Sequence, residues 1–235
     1  MPEEYGNAMA FSPKVCRIML GGAPLRIHEI EGDVRPPVTG EVPTLNYLAY
    51  GTSITHGIAA TGPHLTYVAQ VAQRLNADLI NLGLAGAAHC EFEISDYIAA
   101  RKDWHFAILE ISVNMLGAGF SLDEFYERVS YMVNTVAGSD TSRPVACITI
   151  YPHHRDFSDS FNAPDQKGST EEYRQRLRNA VSACPHPNVH LFEGPDILQE
   201  VSGLTTDLLH PSDNGMIQMG ENLARKLKPL ISSDH

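Results

Sequence analysis

The sequence predicts an α/β protein: a three-layer α/β/α domain around a five-stranded parallel sheet, preceded by a short N-terminal β appendage. Three observations lead there. Five short apolar runs of strand length recur along the chain. Segments with apolar residues at helical spacing separate them. The alternation begins only after a stretch rich in Gly and Pro that ends near Pro43. Strands that alternate with helices pair in parallel and are covered on both faces.

Residues 14–31 carry two apolar runs around Gly21-Gly22, Lys14 to Leu20 and Pro24 to Ile30. Leu25 and Ile27 pattern as a strand. Gly32-Asp33-Val34-Arg35-Pro36-Pro37 continues neither strand nor helix and reads as a linker. Residues 1–43 are therefore expected to form the appendage and linker, and residues 44–235 the main domain.

Within that domain, strands are expected at Leu45 to Tyr50, Ala77 to Leu82, Phe106 to Ile111, Val145 to Tyr151 and Val189 to Phe192. Leu65, Val68, Ala69, Ala72 and Leu75 mark a helix. Glu91 to Ala100 is a second helix. Ser121 to Val136 is a third, opened by a capping box in which Ser121 precedes Glu124 by three. Ser169 to Ala183 carries Glu171 and Glu172 in its first turn, where the helix dipole favours acids. Pro211 to Leu227 is the closing helix. Residues 153–168 form a long polar loop, a length usually tied to function or mobility.

Composition narrows the function classes. Of 235 residues, 43% are hydrophobic and 19% charged, enough to build a packed core. The net charge of −11 disfavours phosphate backbones and anionic membranes as partners. The start, Met-Pro-Glu-Glu-Tyr, does not read as a signal peptide. No apolar run approaches a membrane span. A cytoplasmic protein is expected. Cys16, Cys90, Cys147 and Cys184 show no C-x-x-C spacing and read as small hydrophobes in a reducing compartment.

In parallel sheets of this kind, sites gather at the carboxyl ends of strands. The first strand runs into Gly51-Thr52-Ser53-Ile54-Thr55-His56-Gly57. A Ser there can present its hydroxyl on a tight turn, although Ser and Gly are ordinary turn formers. It is not the G-x-S-x-G elbow, because position 55 is Thr. The second strand runs into Gly83-Leu84-Ala85-Gly86, whose backbone N–H groups could donate to a ligand or simply form a turn. The third ends in Glu110-Ile111-Ser112-Val113-Asn114, which puts an amide beyond a buried strand, as a cleft donor or as a cap. Asp207-Leu208-Leu209-His210 precedes the closing helix. Its carboxylate and imidazole, three apart, suit an orienter and a base, a metal pair or an N-cap.

Together these segments carry a nucleophile, oxyanion donors and a base with its orienter. In order, they resemble the four sequence blocks of the SGNH (GDSL-type) hydrolase family, from Leu45 to Leu227. The resemblance implies a flavodoxin-like SGNH hydrolase fold. It implies Ser53 as nucleophile, and an oxyanion hole of the Ser53 N–H, the Gly86 N–H and the Asn114 side chain. Asp207 and His210 complete the catalytic set it implies. Members are esterases, lipases, carbohydrate deacetylases and some acyltransferases, and need no metal or organic cofactor. Two departures stand out: Thr52 replaces the Asp of the usual G-D-S, and Ser112-Val113-Asn114-Met115 replaces the usual G-x-N-D. Both resemble a branch that carries a β-sandwich before the hydrolase domain, and residues 14–43 resemble the last strands and linker of such a sandwich.

Eleven histidines invite a metal reading, but no H-E-x-x-H or Cys-His cluster occurs in the sequence, and no metal is expected. His56 and His89 follow the first two blocks, and His153 and His154 follow the fourth strand. All four are candidates for a substrate pocket. Trp104 reads as packing. The expected activity is hydrolysis of a small ester, with a short acyl group on a sugar or other small alcohol. The alternatives are acyl transfer to a second alcohol and a non-catalytic binding module. The expected partner is a small-molecule ester, with no nucleic acid or membrane, and the N-terminal segment is expected either to pack against the hydrolase domain or to pair with another chain in a homo-oligomer.

Overall fold

The computed structural model describes residues 15–18, 26–111, 113–158 and 166–231. Five strands form one all-parallel sheet: β1 Leu45–Gly51, β2 Ala77–Gly83, β3 Phe106–Glu110, β4 Val145–Ile148 and β5 Val189–Phe192. Their order is β2-β1-β3-β4-β5, the order expected of a flavodoxin-like sheet. The chain moves outward from β1 in one direction and then in the other. The switch point therefore lies at β1, between β2 and β3, where such sheets leave a crevice.

Side-chain alternation sorts the strands between two cores. Leu48, Tyr50, Ala107, Leu109, Val145 and Cys147 face one, and Tyr47, Ala49, Phe106, Ile108, Ala146 and Ile148 face the other. On the first face lie α3 (Phe92–Ala100), α5 (Leu122–Gly138) and α7 (Thr170–Ala183). On the second lie α2 (Tyr67–Leu75) and α9 (Asp213–Ile231). The short helices α1 (Ser53–His56), α4 (Val113–Gly117), α6 (His154–Phe157) and α8 (Gly194–Ile197) occupy the connections. Every residue of β3 is buried, as a central parallel strand covered on both faces requires. Burying one of these large side chains contributes about 1.5–3 kcal/mol relative to exposure.

Local chemistry sets the helix ends. The Ser121 side chain accepts from Glu124 N–H while the Glu124 carboxylate accepts from Ser121 N–H, and Ser169 and Glu172 repeat the arrangement at α7. Thr66 caps α2 by accepting from Ala69 N–H. Trp104 is buried, donates to Ile98 C=O at 3.2 Å and carries the Arg143 guanidinium over its ring, so it packs. Cys90 and Cys147 are buried, Cys184 is half-buried and Cys16 is exposed, all as free thiols.

Several boundaries differ from expectation. β4 stops at Ile148, and β2 continues to Gly83. A 3-10 turn at Pro63–Leu65 precedes α2, so the helix begins at Tyr67. The closing helix starts at Asp213 and runs to Ile231, with Pro229 tolerated in its last turn. The strands expected within residues 14–31 are not found at residues 15–18 or 26–31. Residues 14 and 19–25 of that expectation lie outside the described residues. Apolar content alone does not make a strand, because each strand needs a neighbour for its backbone groups. Here Ile18, Ile27 and Ile30 are exposed. Arg17 instead reaches the domain through its side chain, as an ion pair with Asp78 of β2.

Candidate active site

The site is built where β1 ends. Thr52 leaves the strand with an extended backbone and caps α1, its Oγ accepting from Ile54 N–H at 3.2 Å. Ser53 is the first residue of the helix, with 7% of its surface exposed. Gly57 ends the turn in the left-handed conformation, its N–H donating to Ser53 C=O. The cap takes Ile54 N–H, and among the described residues no acceptor takes Ser53 N–H.

From the other end of the domain, the loop before α9 brings the imidazole. Asp207 organises it as a hub: Oδ1 accepts from Thr205 Oγ and from the N–H groups of Leu209 and His210, and Oδ2 accepts from His210 Nδ1 at 2.6 Å. An Asp that bonds the backbone two and three residues ahead makes a turn of its own. Leu208 completes it with φ +53°. Burial pushes the Asp207 carboxyl up, but the His210 side chain, the two backbone N–H groups and Thr205 outweigh it. They hold it well below the usual carboxylate range. An ionised Asp207 keeps the proton on Nδ1, so Nε2 offers its lone pair. Nε2 lies 2.8 Å from Ser53 Oγ. Ser53, His210 and Asp207 thus form one continuous hydrogen-bonded chain.

Gly86 and Asn114 lie on the two connections that flank this point. Gly86 follows β2 by three residues, is exposed and has φ +73°, a conformation that favours glycine. Among the described residues its N–H has no acceptor. Asn114 lies on α4, four residues past the end of β3, and its Oδ1 is buried without a partner. β2 and β3 are the two neighbours of β1, so Gly86 and Asn114 lie on the segments that follow the strands on either side of the one leading to Ser53.

The model of the GDSL-like Lipase/Acylhydrolase family matches residues 46–228. The chain belongs to this family. Among solved structures, this GDSL-like chain is similar to the salicylyl-acyltransferase SsfX3 from a tetracycline biosynthetic pathway, with 19% identity and a TM-score of 0.71 over 83% of this chain and 57% of that one. It is similar to a two-domain esterase (CEX) active on acetylated mannans, at 22% identity and TM-score 0.56 over 82% of this chain and 51% of that one. A carbohydrate esterase family 3 structure from Talaromyces cellulolyticus matches at 15% identity and TM-score 0.60, over 81% of this chain and 100% of that one. The chain thus spans little more than half the length of the first two, and at these identities the likeness concerns the fold. No curated protein sequence matches it.

The four expected pocket histidines of this GDSL-like chain take different places. His56 shares a hydrogen bond between Nδ1 and Gly83 C=O at 3.1 Å, which ties the Ser53 turn to the end of β2. His89 is half-buried beside Phe120, with Nδ1 3.7 Å from Glu91 Oε1 and Nε2 buried without a partner. His153 is buried, its Nε2 3.1 Å from Thr170 Oγ, and burial pushes its imidazole down to about 4. It supports α7. His154 donates its backbone N–H to Leu208 C=O at 2.7 Å, which fastens the loop after β4 to the turn that holds His210. Residues 159–165 of the long polar loop lie outside the described residues. A cavity of about 290 Å³ opens at the opposite, amino end of the strands, between Leu45, His105, Arg143, Pro144 and Leu230.

Sequence reasoning missed one member of this region. Glu110, the last residue of β3, is buried and bonded to the turn that carries Ser53. The available signal was a charged residue at the end of a run otherwise typical of a buried strand.

Proposed function

We propose that the chain is a serine esterase that hydrolyses a small ester, with a short acyl group on a sugar or other small alcohol. The observation that carries this reading is the chain Ser53 Oγ to His210 Nε2 at 2.8 Å and His210 Nδ1 to Asp207 Oδ2 at 2.6 Å. A nucleophile, a base within reach and an orienter behind the base are the parts of an acyl-transfer site.

In the proposed mechanism His210 Nε2 takes the Ser53 hydroxyl proton as Oγ bonds to the ester carbonyl carbon. The carbonyl electrons move onto oxygen. That oxyanion is held by Ser53 N–H, Gly86 N–H and the Asn114 amide, donors aimed before charge develops. Collapse breaks the bond to the alcohol oxygen, which receives the proton from His210. Water then gives a proton to His210 and attacks the acyl carbon. A second collapse returns Ser53 and releases the acid. Asp207, held ionised, stabilises the imidazolium in both halves.

Support for a small oxygenated substrate comes from the fold shared with an esterase active on acetylated mannans. A second reading, transfer of the acyl group to another alcohol, is favoured by the fold shared with a salicylyl-acyltransferase. One experiment tests both. The protein is treated with a fluorophosphonate probe, then supplied with acetyl esters with and without added alcohols. Labelling at Ser53 and free acetate as the main product are expected. A new ester in place of acetate would favour transfer, and absence of labelling would refute both readings.

A further inference from the structure

We propose that Glu110 is a positioning residue for the nucleophile, its carboxylate gripping Thr52 and Thr55 so that the turn presents Ser53 in one geometry. This inference rests on Ser53 acting as the nucleophile. Glu110 ends β3 beside the end of β1 and is 1% exposed. One oxygen, Oε2, accepts Thr52 N–H at 2.7 Å, the Thr52 hydroxyl at 2.7 Å and the Thr55 hydroxyl at 3.1 Å. All three donors belong to the turn that carries Ser53.

The bonds have a direction. With its proton given to Glu110, the Thr52 hydroxyl turns a lone pair to Ile54 N–H at 3.2 Å. Thr52 C=O accepts His56 N–H at 2.9 Å. Ser53 thus sits between two residues whose backbone groups are tied down, while its own N–H stays unengaged. Thr55 donates to Glu110 and so accepts from Tyr67, at 2.6 Å, which extends the grip to α2. Gly51 leaves the room for this arrangement. A Cβ there would lie 2.6 Å from Glu110 Oε2 and 2.2 Å from Thr55 Oγ1.

A buried carboxylate is a costly way to fill space. Among the described residues no cation offsets it: burial pushes Glu110 up to about 7, opposed only by the bonds from Thr52 and Thr55. Tyr67 of α2 and Tyr151 beyond β4 sense its charge, and both are pushed far upward by burial and therefore neutral. An apolar side chain of equal size would pack at lower cost, but could not accept from Thr52. The carboxylate is thus explained by what it holds.

The test uses the full chain and two readouts: the rate of fluorophosphonate labelling, with Ser53 located by mass spectrometry, and kcat and KM on an acetyl ester across pH. E110A is expected to lower kcat and the labelling rate by roughly 10- to 100-fold with KM little changed, the size of a small misplacement of a reacting group. E110Q keeps an acceptor oxygen and should recover much of that loss. It should also remove one ionisation from the acid side of the kcat profile, which a space-filling role would leave alone. T52V should resemble E110A, T52S should lose less, and the E110A/T52V pair should be little worse than either alone. If E110A fails to fold, E110Q and T52V carry the test. Wild-type labelling at Ser53 together with unchanged rates and pH profile in E110Q and T52V would overturn the positioning role. Failure of the wild type to label at Ser53 would overturn the nucleophile assignment, and this inference with it.

Discussion

Ser53 Oγ and His210 Nε2 lie 2.8 Å apart although 157 positions separate them in the chain. The sheet supplies one partner from the end of β1, and the Asp207 turn supplies the other from the entrance to α9. Neither segment holds the geometry alone. Replacing either residue should therefore remove function without touching the core. S53A is expected to abolish fluorophosphonate labelling and lower ester turnover by about 10⁴-fold or more. A folded S53A protein with near-normal turnover would sink the assignment.

Asp207 is expected to matter less than His210. In D207N the backbone bonds from Leu209 and His210 can persist on the remaining oxygen, but the carboxylate that fixes the tautomer is gone. Turnover should fall by roughly 10²- to 10⁴-fold, and further in H210A. Steady-state kinetics on the two variants decide the order, and an equal or larger loss in D207N would show that Asp207 does more than orient.

Asn114 contributes, on the reading above, only when the oxyanion forms. N114A should lower kcat by roughly 10²- to 10³-fold, or about 2.7–4 kcal/mol, with KM little changed. A normal kcat would leave Asn114 as an ordinary residue of α4.

Two carboxyls give stability opposite pH dependences. Glu110 is raised to about 7 in the folded state, against about 4.3 for a free side chain. The folded protein then binds the extra proton between those values, so stability falls as pH rises through that window. Asp207 is lowered, so its contribution is present above about 3.9 and is lost as pH falls below that value. E110Q should flatten the neutral limb of a plot of Tm against pH, and D207N the acid limb. Curves parallel to wild type in both variants would refute the two assignments.

The N-terminal segment should stabilise or associate, not catalyse. Arg17 pairs with Asp78, Arg35 with Glu41, and Ile27, Ile30, Val34 and Val38 expose apolar surface. Deleting residues 1–40 should leave Ser53 labelling intact while lowering Tm or changing the number of subunits in solution. Unchanged Tm and an unchanged number of subunits would count against both roles.

Much of this architecture is legible in the residues themselves. The runs at Leu45, Ala77, Phe106, Val145 and Val189 read as strands because parallel strands covered on both faces are apolar throughout. The Ser121–Glu124 box reads as a helix start because its two bonds close within four residues. What failed was pairing. Residues 26–31 have strand composition and, among the described residues, no paired strand to complete them. His153 reads as a loop residue near a cleft, yet its ring turns into the protein against Thr170.

The sequence by itself determined the element types, the switch in pattern after Pro43 and the chemical kinds of group at each strand end. Those follow from periodicity and turn chemistry, which act over a few residues. The tertiary structure alone decided which groups meet. It closed the gap between Ser53 and His210, put β2 and β3 on either side of β1, and set Glu110 under Thr52. The β1–β3 register, which pairs Tyr50 with Leu109, brings Glu110 level with the end of β1. Register is a property of two segments about sixty positions apart, settled by packing on both faces of the sheet, and no local pattern encodes it.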